Sequence, residues 1–341
     1  GGWHEAHVPQ LTMNVPRGAF VYLAQTVKEA VSIPVIASNR VPDPNLAEKI
    51  LRDGQADLVN LGRVLMADPF WPQKAKSGHP EHIVPCVACL QGCMDELTVG
   101  RPVQCMVNPR QGYEGERNIQ PASQPRRVMV IGAGPGGLEA AYRAALAGHD
   151  VDLFEKEGRI GGQLWIAGTP PHKQELWRIA DYYKEMIKLH GIRLHLNTTV
   201  DLEIILRERP DYIIAAEGAE PLQPEMPGLE GPGVVNAWDV LRNDPPLGSK
   251  IAILGGGAVG LETAHFLALK GTIAPDALHF LFCNRAESVE RLWQLVYQGN
   301  KQITVFEKLP RAGNGVGRSS IWGLMHELRK HGVKVATRTS V

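Results

Sequence analysis

Four of the chain's five cysteines, Cys86, Cys89, Cys93 and Cys105, fall in one short stretch with the spacing C-x2-C-x3-C-x11-C. Thiols so concentrated could hold each other, a zinc ion or an iron-sulfur cluster. Disulfides are the weakest reading in a chain that looks intracellular. Zinc sites usually pair two C-x2-C-like knuckles, and here the second half is a single remote cysteine. Three close thiolates with one distant return suit a cubane, because one loop can seat three irons while the returning chain caps the fourth. The spacing ranks a 4Fe-4S cluster first, zinc second and a disulfide last. Cys283 stands alone and reads as an ordinary packed or surface thiol.

A second kind of chemistry lies in two glycine turns. Gly132, Gly134 and Gly137 fit G-x-G-x-x-G directly after the apolar run "RRVMVI" and directly before a helical pattern. The first glycine allows the tight turn and the second lets backbone approach a pyrophosphate. The third lets helix pack against strand, with phosphate at the helix N-terminus. Glu155 ends the next strand candidate 23 residues after Gly132, about where a carboxylate accepts ribose hydroxyls. Gly255, Gly257 and Gly260 repeat the design in "ILGGGAVGLETA". There the acidic candidate, Glu307, comes 52 residues after Gly255, across a stretch that reads as a helical insertion. A ribose-binding Glu307 would repel a 2'-phosphate and favour NADH over NADPH, although Lys308 and Arg311 stand close by.

These groups need a scaffold. Residues 20–31 and 45–54 carry helical periodicity, and "IPVIASN" and "ADLVNLGR" are short apolar runs expected as strands buried on both faces. Helix, strand, helix, strand at this spacing predicts parallel βα units, too few to close a domain. Residues 110–126 are polar, contain prolines and lack periodicity, as a linker does. "IRLHLNTTV" and "YIIAAEG" are further strand candidates. The fold class is therefore α/β with parallel sheets. Thirty-six basic residues balance 36 acidic ones, so no global field points to nucleic acid or to an anionic membrane surface. No apolar run approaches the length of a membrane span, and the N-terminus lacks a signal-peptide plan. A small-molecule enzyme in the cytoplasm is expected. The first residue is not Met and "VKVATRTSV" reads as a strand beginning, so the chain reads as a fragment cut at both ends and not expected to fold stably alone.

The two glycine turns joined by "IIAAEGAEP" resemble the flavoproteins with two dinucleotide-binding domains, in which FAD occupies the first site and NAD(P)H the second. That resemblance brings Gly162 and Gln163 of "RIGGQL" towards the flavin, places Val200 near adenine, and puts Gly218 in the connecting segment. There Glu217 replaces the family's Thr. More specifically, "GWHEA", "IPVIASNR", "DLVNLGRVLMADP", the cysteine spacing and "RRVMVIGAGPGG" follow one another as in one group of the old yellow enzyme family of NADH:flavin oxidoreductases. That group is the 2,4-dienoyl-CoA reductase and 2-enoate reductase branch, with trimethylamine dehydrogenase as a more distant relative.

The resemblance implies the C-terminal part of an FMN-binding TIM barrel (1–84, strands seven and eight), a 4Fe-4S segment (85–110), a linker (111–126), an FAD domain (127–249) and an incomplete NAD(P)H domain (250–341). Barrel phosphate sites lie after strands seven and eight, which assigns Asn39, Arg40, Gly62 and Arg63 to the FMN phosphate region. His4 matches the family's active-site histidine beside the flavin. The implied activity is NAD(P)H-dependent reduction of an activated C=C bond in an enoate, enoyl-CoA or dienoyl-CoA, with electrons passing from NAD(P)H to FAD, the cluster, FMN and substrate. Two other readings stay open: an amine dehydrogenase or N-demethylase, and a non-catalytic FAD and iron-sulfur electron-transfer subunit serving a partner or forming part of a homo-oligomer.

Overall fold

A computed structural model describes residues 11–340. They fall into two compact units, one running to residue 168 and resuming over 172–220, the other formed by 169–171 and 221–340.

The first unit opens with α1 (Val21–Ala30), β1 (Ile36–Ala37), α2 (Pro44–Arg52) and β2 (Leu58–Val59). The helical crossover makes the two strands parallel, with Ile36 opposite Leu58 and Ala37 opposite Val59. α2 begins where the Asp43 side chain accepts from the Leu46 amide at 3.0 Å, with Pro44 as the first helical residue. Ala37, Val41, Ile50 and Trp71 build a small core beneath the pair. The sequence predicts strands buried on both faces, but Ile36 is 55% and Leu58 51% exposed. The pair has its helices on one face and nothing among the described residues packed over these two side chains. Three short helices follow, α3 (Arg63–Ala67), α4 (Trp71–Lys76) and α5 (Met94–Leu97). Residues 110–126 hold neither helix nor strand.

The same unit continues with β3 (Arg127–Ile131), α6 (Pro135–Leu146), β4 (Asp150–Phe154), α7 (Leu164–Ala167), α8 (Trp177–Leu189), β5 (Arg193–His195), α9 (Leu202–Glu208) and β6 (Tyr212–Ala215). The sheet order is β5-β4-β3-β6, parallel throughout. Val130 and Leu153 are fully buried, as expected for strands covered by helices on both faces.

The second unit contains α10 (Ala237–Asn243), β7 (Lys250–Leu254), α11 (Ala258–Ala268), α12 (Pro275–Cys283), α13 (Val289–Tyr297), β8 (Gln302–Phe306), α14 (Arg318–Lys330) and β9 (Lys334–Ala336), with sheet order β7-β8-β9. α12 and α13 are an excursion between α11 and β8. β8 still pairs with β7 residue for residue, Lys250 opposite Gln302 through Leu254 opposite Phe306. No helix among the described residues is long and apolar enough to cross a membrane.

Candidate redox site

The four clustered cysteines line one cavity together with Arg63 and Met66. All are free thiols, half-buried. Their loop is fixed from both ends. Asp68, 2% exposed, accepts from the Val84 amide at 2.9 Å and from Lys74 at 2.6 Å, pinning the chain just before Cys86. Asn108 donates to the Met66 carbonyl at 2.9 Å, pinning it just after Cys105. Inside the loop the Gln104 amide donates to the Gly92 carbonyl at 2.6 Å, which brings the remote Cys105 back beside Cys93. A Cβ at Gly92 would stand 2.8 Å from the Gln104 carbonyl oxygen, so this close return needs glycine.

Two residues between the cysteines adopt left-handed backbone without being glycine, Ala88 (φ 53°) and Leu90 (φ 64°). Each costs on the order of 1–3 kcal/mol and persists only where the surroundings over-determine it, as at ligand clamps. The surroundings do so here. Ala88 and Leu90 are buried, Val87 packs in the core of the β3–β6 fold, and Cys86 packs against the core under β1 and β2. The loop is thus wedged between two hydrophobic cores.

Burial pushes Cys89 up to about 11, against the Gln91 amide that favours its thiolate, and the three neighbouring thiols push the same way. Burial also raises Cys93 and Cys105, despite amide donors at Met94 and at Val107 and Asn108, and despite the Arg63 guanidinium beside Cys93. Four thiols whose thiolates would repel one another, in a half-buried pocket with backbone donors aimed at sulfur, fit a cationic metal group, which makes thiolates stable there. Among the described residues, two further groups bring potential metal ligands within 4.8 Å of one another: His79, Glu81 and His82, and His265, Glu327 and His331.

Of the residues expected at the FMN phosphate, Arg63 lines the cysteine cavity. It also donates to the Leu11 carbonyl at 2.8 Å. Asn39 and Arg40 both have positive φ, 73° and 57°, and Gly62 caps α3 with open space where a Cβ would stand. The Arg40 guanidinium is buried; it donates to the Val15 carbonyl and to Glu175 at 2.9 Å each. Arg17 clasps the same carboxylate with two bonds of 2.7 Å. Burial alone would raise Glu175, but Arg17, Arg40 and Arg178 outweigh it and hold its carboxyl down at about 2. This ion-pair cluster ties the β1–β2 segment to the turn that leads into α8. Nothing in the sequence announces it, because Arg40 and Glu175 lie 135 positions apart.

Both glycine turns have the geometry their spacing predicts. Gly132 has φ 98°, and a Cβ there would meet the Ala216 carbonyl oxygen at 2.4 Å. At Gly134 a Cβ would meet nothing, leaving room before the N-terminus of α6. At Gly137 it would stand 1.8 Å from the Gly132 carbonyl oxygen. Tight turn, open approach and close packing are the three glycine roles of a dinucleotide site. Glu155 is buried, accepting from the Ala133 amide at 2.8 Å and the Glu157 amide at 2.9 Å. Gly162 lies against Gly134, and Gln163 donates to the Ala219 carbonyl beside Gly218. The structure thus gathers Gly134, Gly162, Gln163 and Gly218 around one turn. Val200 is half-buried in the chain after β5.

The second turn copies the first. Gly255 has φ 99°, and a Cβ at Gly260 would stand 1.9 Å from the Gly255 carbonyl oxygen. A Cβ at Gly257 would only touch the Asn314 carbonyl, at 3.4 Å. Glu307 accepts from the Gly256 and Leu309 amides at 2.8 Å each. Even the outer loop repeats: the Gly161 amide donates to the Ala133 carbonyl at 2.8 Å, and the Gly313 amide donates to the Gly256 carbonyl at 2.7 Å. His4 lies outside the described residues.

Residues 126–341 match the pyridine nucleotide-disulphide oxidoreductase family. The chain belongs to that family. Residues 2–82 match a second one, the NADH:flavin oxidoreductase / NADH oxidase family, so the barrel-like opening and the paired nucleotide folds are both accounted for. The chain is 45% identical over 345 residues to a metal reductase of Desulforamulus reducens, covering all of this chain and 52% of that protein. It is 34% identical over 269 residues to a cinnamate reductase of Clostridium sporogenes, covering 79% of this chain and 40% of that protein. A solved 2-naphthoyl-CoA reductase in complex with 2-naphthoyl-CoA superposes with a TM-score of 0.87 at 31% identity, over all of this chain and 48% of its own. The chain spans about half the length of the curated relatives it matches.

Proposed function

We propose that the chain is part of an NAD(P)H-dependent iron-sulfur flavoprotein that reduces an activated C=C bond, in an enoate or an enoyl- or dienoyl-CoA type substrate. The observation that carries this reading is the strained cysteine loop wedged between the core of the β1–β2 segment and the core of the first nucleotide fold. Cys86, Cys89, Cys93 and Cys105 would hold the 4Fe-4S cluster. When bound, the cluster supplies one-electron transfer between two flavins that each exchange electron pairs. Gly132, Gly134, Gly137 and the N-terminus of α6 would hold the FAD pyrophosphate, and Glu155 the ribose, with Gly162, Gln163, Val200 and Gly218 around them. Gly255, Gly257, Gly260 and Glu307 would do the same for NADH, and the Glu307 carboxylate disfavours a 2'-phosphate. Asn39, Arg40, Gly62 and Arg63 would border the FMN phosphate, with Arg40 placed by Glu175. His4 would polarise the substrate carbonyl or help supply a proton. A cinnamate reductase and a 2-naphthoyl-CoA reductase among the relatives support a conjugated acid or acyl-CoA as substrate. A cytoplasmic place belongs to the same reading.

A second reading is favoured by one finding: the relative matched over this whole chain at 45% identity is a metal reductase. An oxidised metal ion would then be the electron acceptor. Anaerobic NADH oxidation by the full-length protein distinguishes these readings. Turnover with cinnamate or an aryl- or enoyl-CoA, and a product reduced at the C=C bond, supports the first. Turnover with ferric chelates alone supports the second. Reduction of a dye by methylated amines without NADH would contradict both.

A further inference from the structure

The second unit holds a set of metal-binding side chains that the electron path does not use. His265 lies buried in α11, and Glu327 and His331 are half-buried, four residues apart at the end of α14. Their ligand atoms all lie within 4.8 Å of one another. That spacing puts Glu327 and His331 on one face of the helix, turned to the neighbouring α11. The two imidazole rings are 5.8 Å apart between centroids.

A second observation points to a ligand. The Tyr297 carbonyl, at the end of α13, is 3.1 Å from His331 Nδ1. A carbonyl can only accept, so Nδ1 carries the proton and the Nε2 lone pair is left to bind. Metal-ligating histidines are oriented in this way, through a backbone carbonyl on the other ring nitrogen. Two imidazoles and one carboxylate are a donor set for borderline divalent transition ions, zinc above all, with a fourth position open to water. Zinc at about 2.0–2.1 Å would bring the donors to roughly 3.4 Å from one another, a small rotation from where they stand. Lys330 competes for the same carboxylate: its Nζ is 3.2 Å from Glu327 Oε1 and 3.2 Å from the Tyr297 hydroxyl.

We propose that His265, Glu327 and His331 form a zinc-binding site that joins α11 and α14 beside the end of the inserted helix α13. The site is separate from the cysteine loop in chemistry, with nitrogen and oxygen donors and no sulfur.

The test uses the full-length protein with its flavins and iron in place. It is dialysed against zinc and then against metal-free buffer, and zinc and iron are counted together. The expected result is about one zinc per chain beyond the iron, held at least about tenfold more weakly in Glu327→Gln and in His265→Asn, with iron unchanged. Zinc-edge X-ray absorption of the wild-type protein needs no variant: a first shell of nitrogen and oxygen with imidazole scattering supports the site even where a variant fails to fold. Failure of the wild-type protein to retain zinc, a sulfur shell around it, or equal retention by His265→Asn/Glu327→Gln would overturn the proposal.

Discussion

The two nucleotide folds of this chain reach the same local geometry from different sequences. In the first, the carboxylate of Glu155 follows its turn by 23 residues; in the second, Glu307 follows by 52. Yet each accepts from a turn amide at 2.8 Å and from the amide two residues further on. What fixes the carboxylate is strand pairing, β4 on β3 and β8 on β7, each in register over five residues. The intervening chain is free to lengthen so long as it returns to that register, and α12 and α13 make the return. In the first fold the chain after β6 also brings the Ala216 carbonyl over Gly132.

The largest expected effect is one the two folds share. A Cβ at Gly137 or Gly260 would stand 1.8 or 1.9 Å from a carbonyl oxygen of its own turn. Gly137→Ala and Gly260→Ala should each destabilise the full-length protein by more than about 4 kcal/mol in chemical denaturation, or prevent folding. A tolerated alanine at either position would break the equivalence of the turns.

Next comes an effect within the first fold. Gly132→Ala adds to left-handed strain of about 1–3 kcal/mol a collision with the Ala216 carbonyl at 2.4 Å, and should cost distinctly more than that strain alone in chemical denaturation of the full-length protein. A loss no larger than about 1–3 kcal/mol would show that the chain after β6 does not hold the Gly132 turn.

A smaller effect, confined to the first fold, depends on pH. The carboxyl of Glu175 is held at about 2, below its ordinary value of 4.5. A lowered acid contributes stability above the unfolded value, and that contribution fades as pH falls from 4.5 towards 2. The span corresponds to about 3 kcal/mol at most. Denaturation across that window should fall more steeply in wild-type protein than in Glu175→Gln. Parallel curves would remove the Arg17–Glu175–Arg40 cluster from the stability of this region.

Whatever is local in sequence was legible there. The glycine turns, Glu155, the cysteine spacing and the parallel α/β class are all set by residues within a few turns of one another. The insertion was legible as helical, and the place of Glu307 only through its likeness to Glu155, because register between β7 and β8 is not written in the intervening residues. The clasp on Glu175 was hidden altogether, since its partners are 135 and 158 positions away. The buried reading of β1 and β2 failed at Ile36 and Leu58, because apolar runs report what a strand can bury and not what covers it. The left-handed backbone of Ala88 and Leu90 had no signal either: neither residue type favours that conformation, so only the packing around them accounts for it.

The central claim is that the loop around those two residues holds iron. Iron and acid-labile sulfide in the anaerobically purified full-length protein, read with its absorbance spectrum, test it most directly. About four of each per chain are expected, with a broad iron-sulfur band that bleaches on adding NADH and is lost in Cys89→Ser. Protein that carries flavin but no sulfide, with zinc bound to sulfur at the four cysteines, would contradict it.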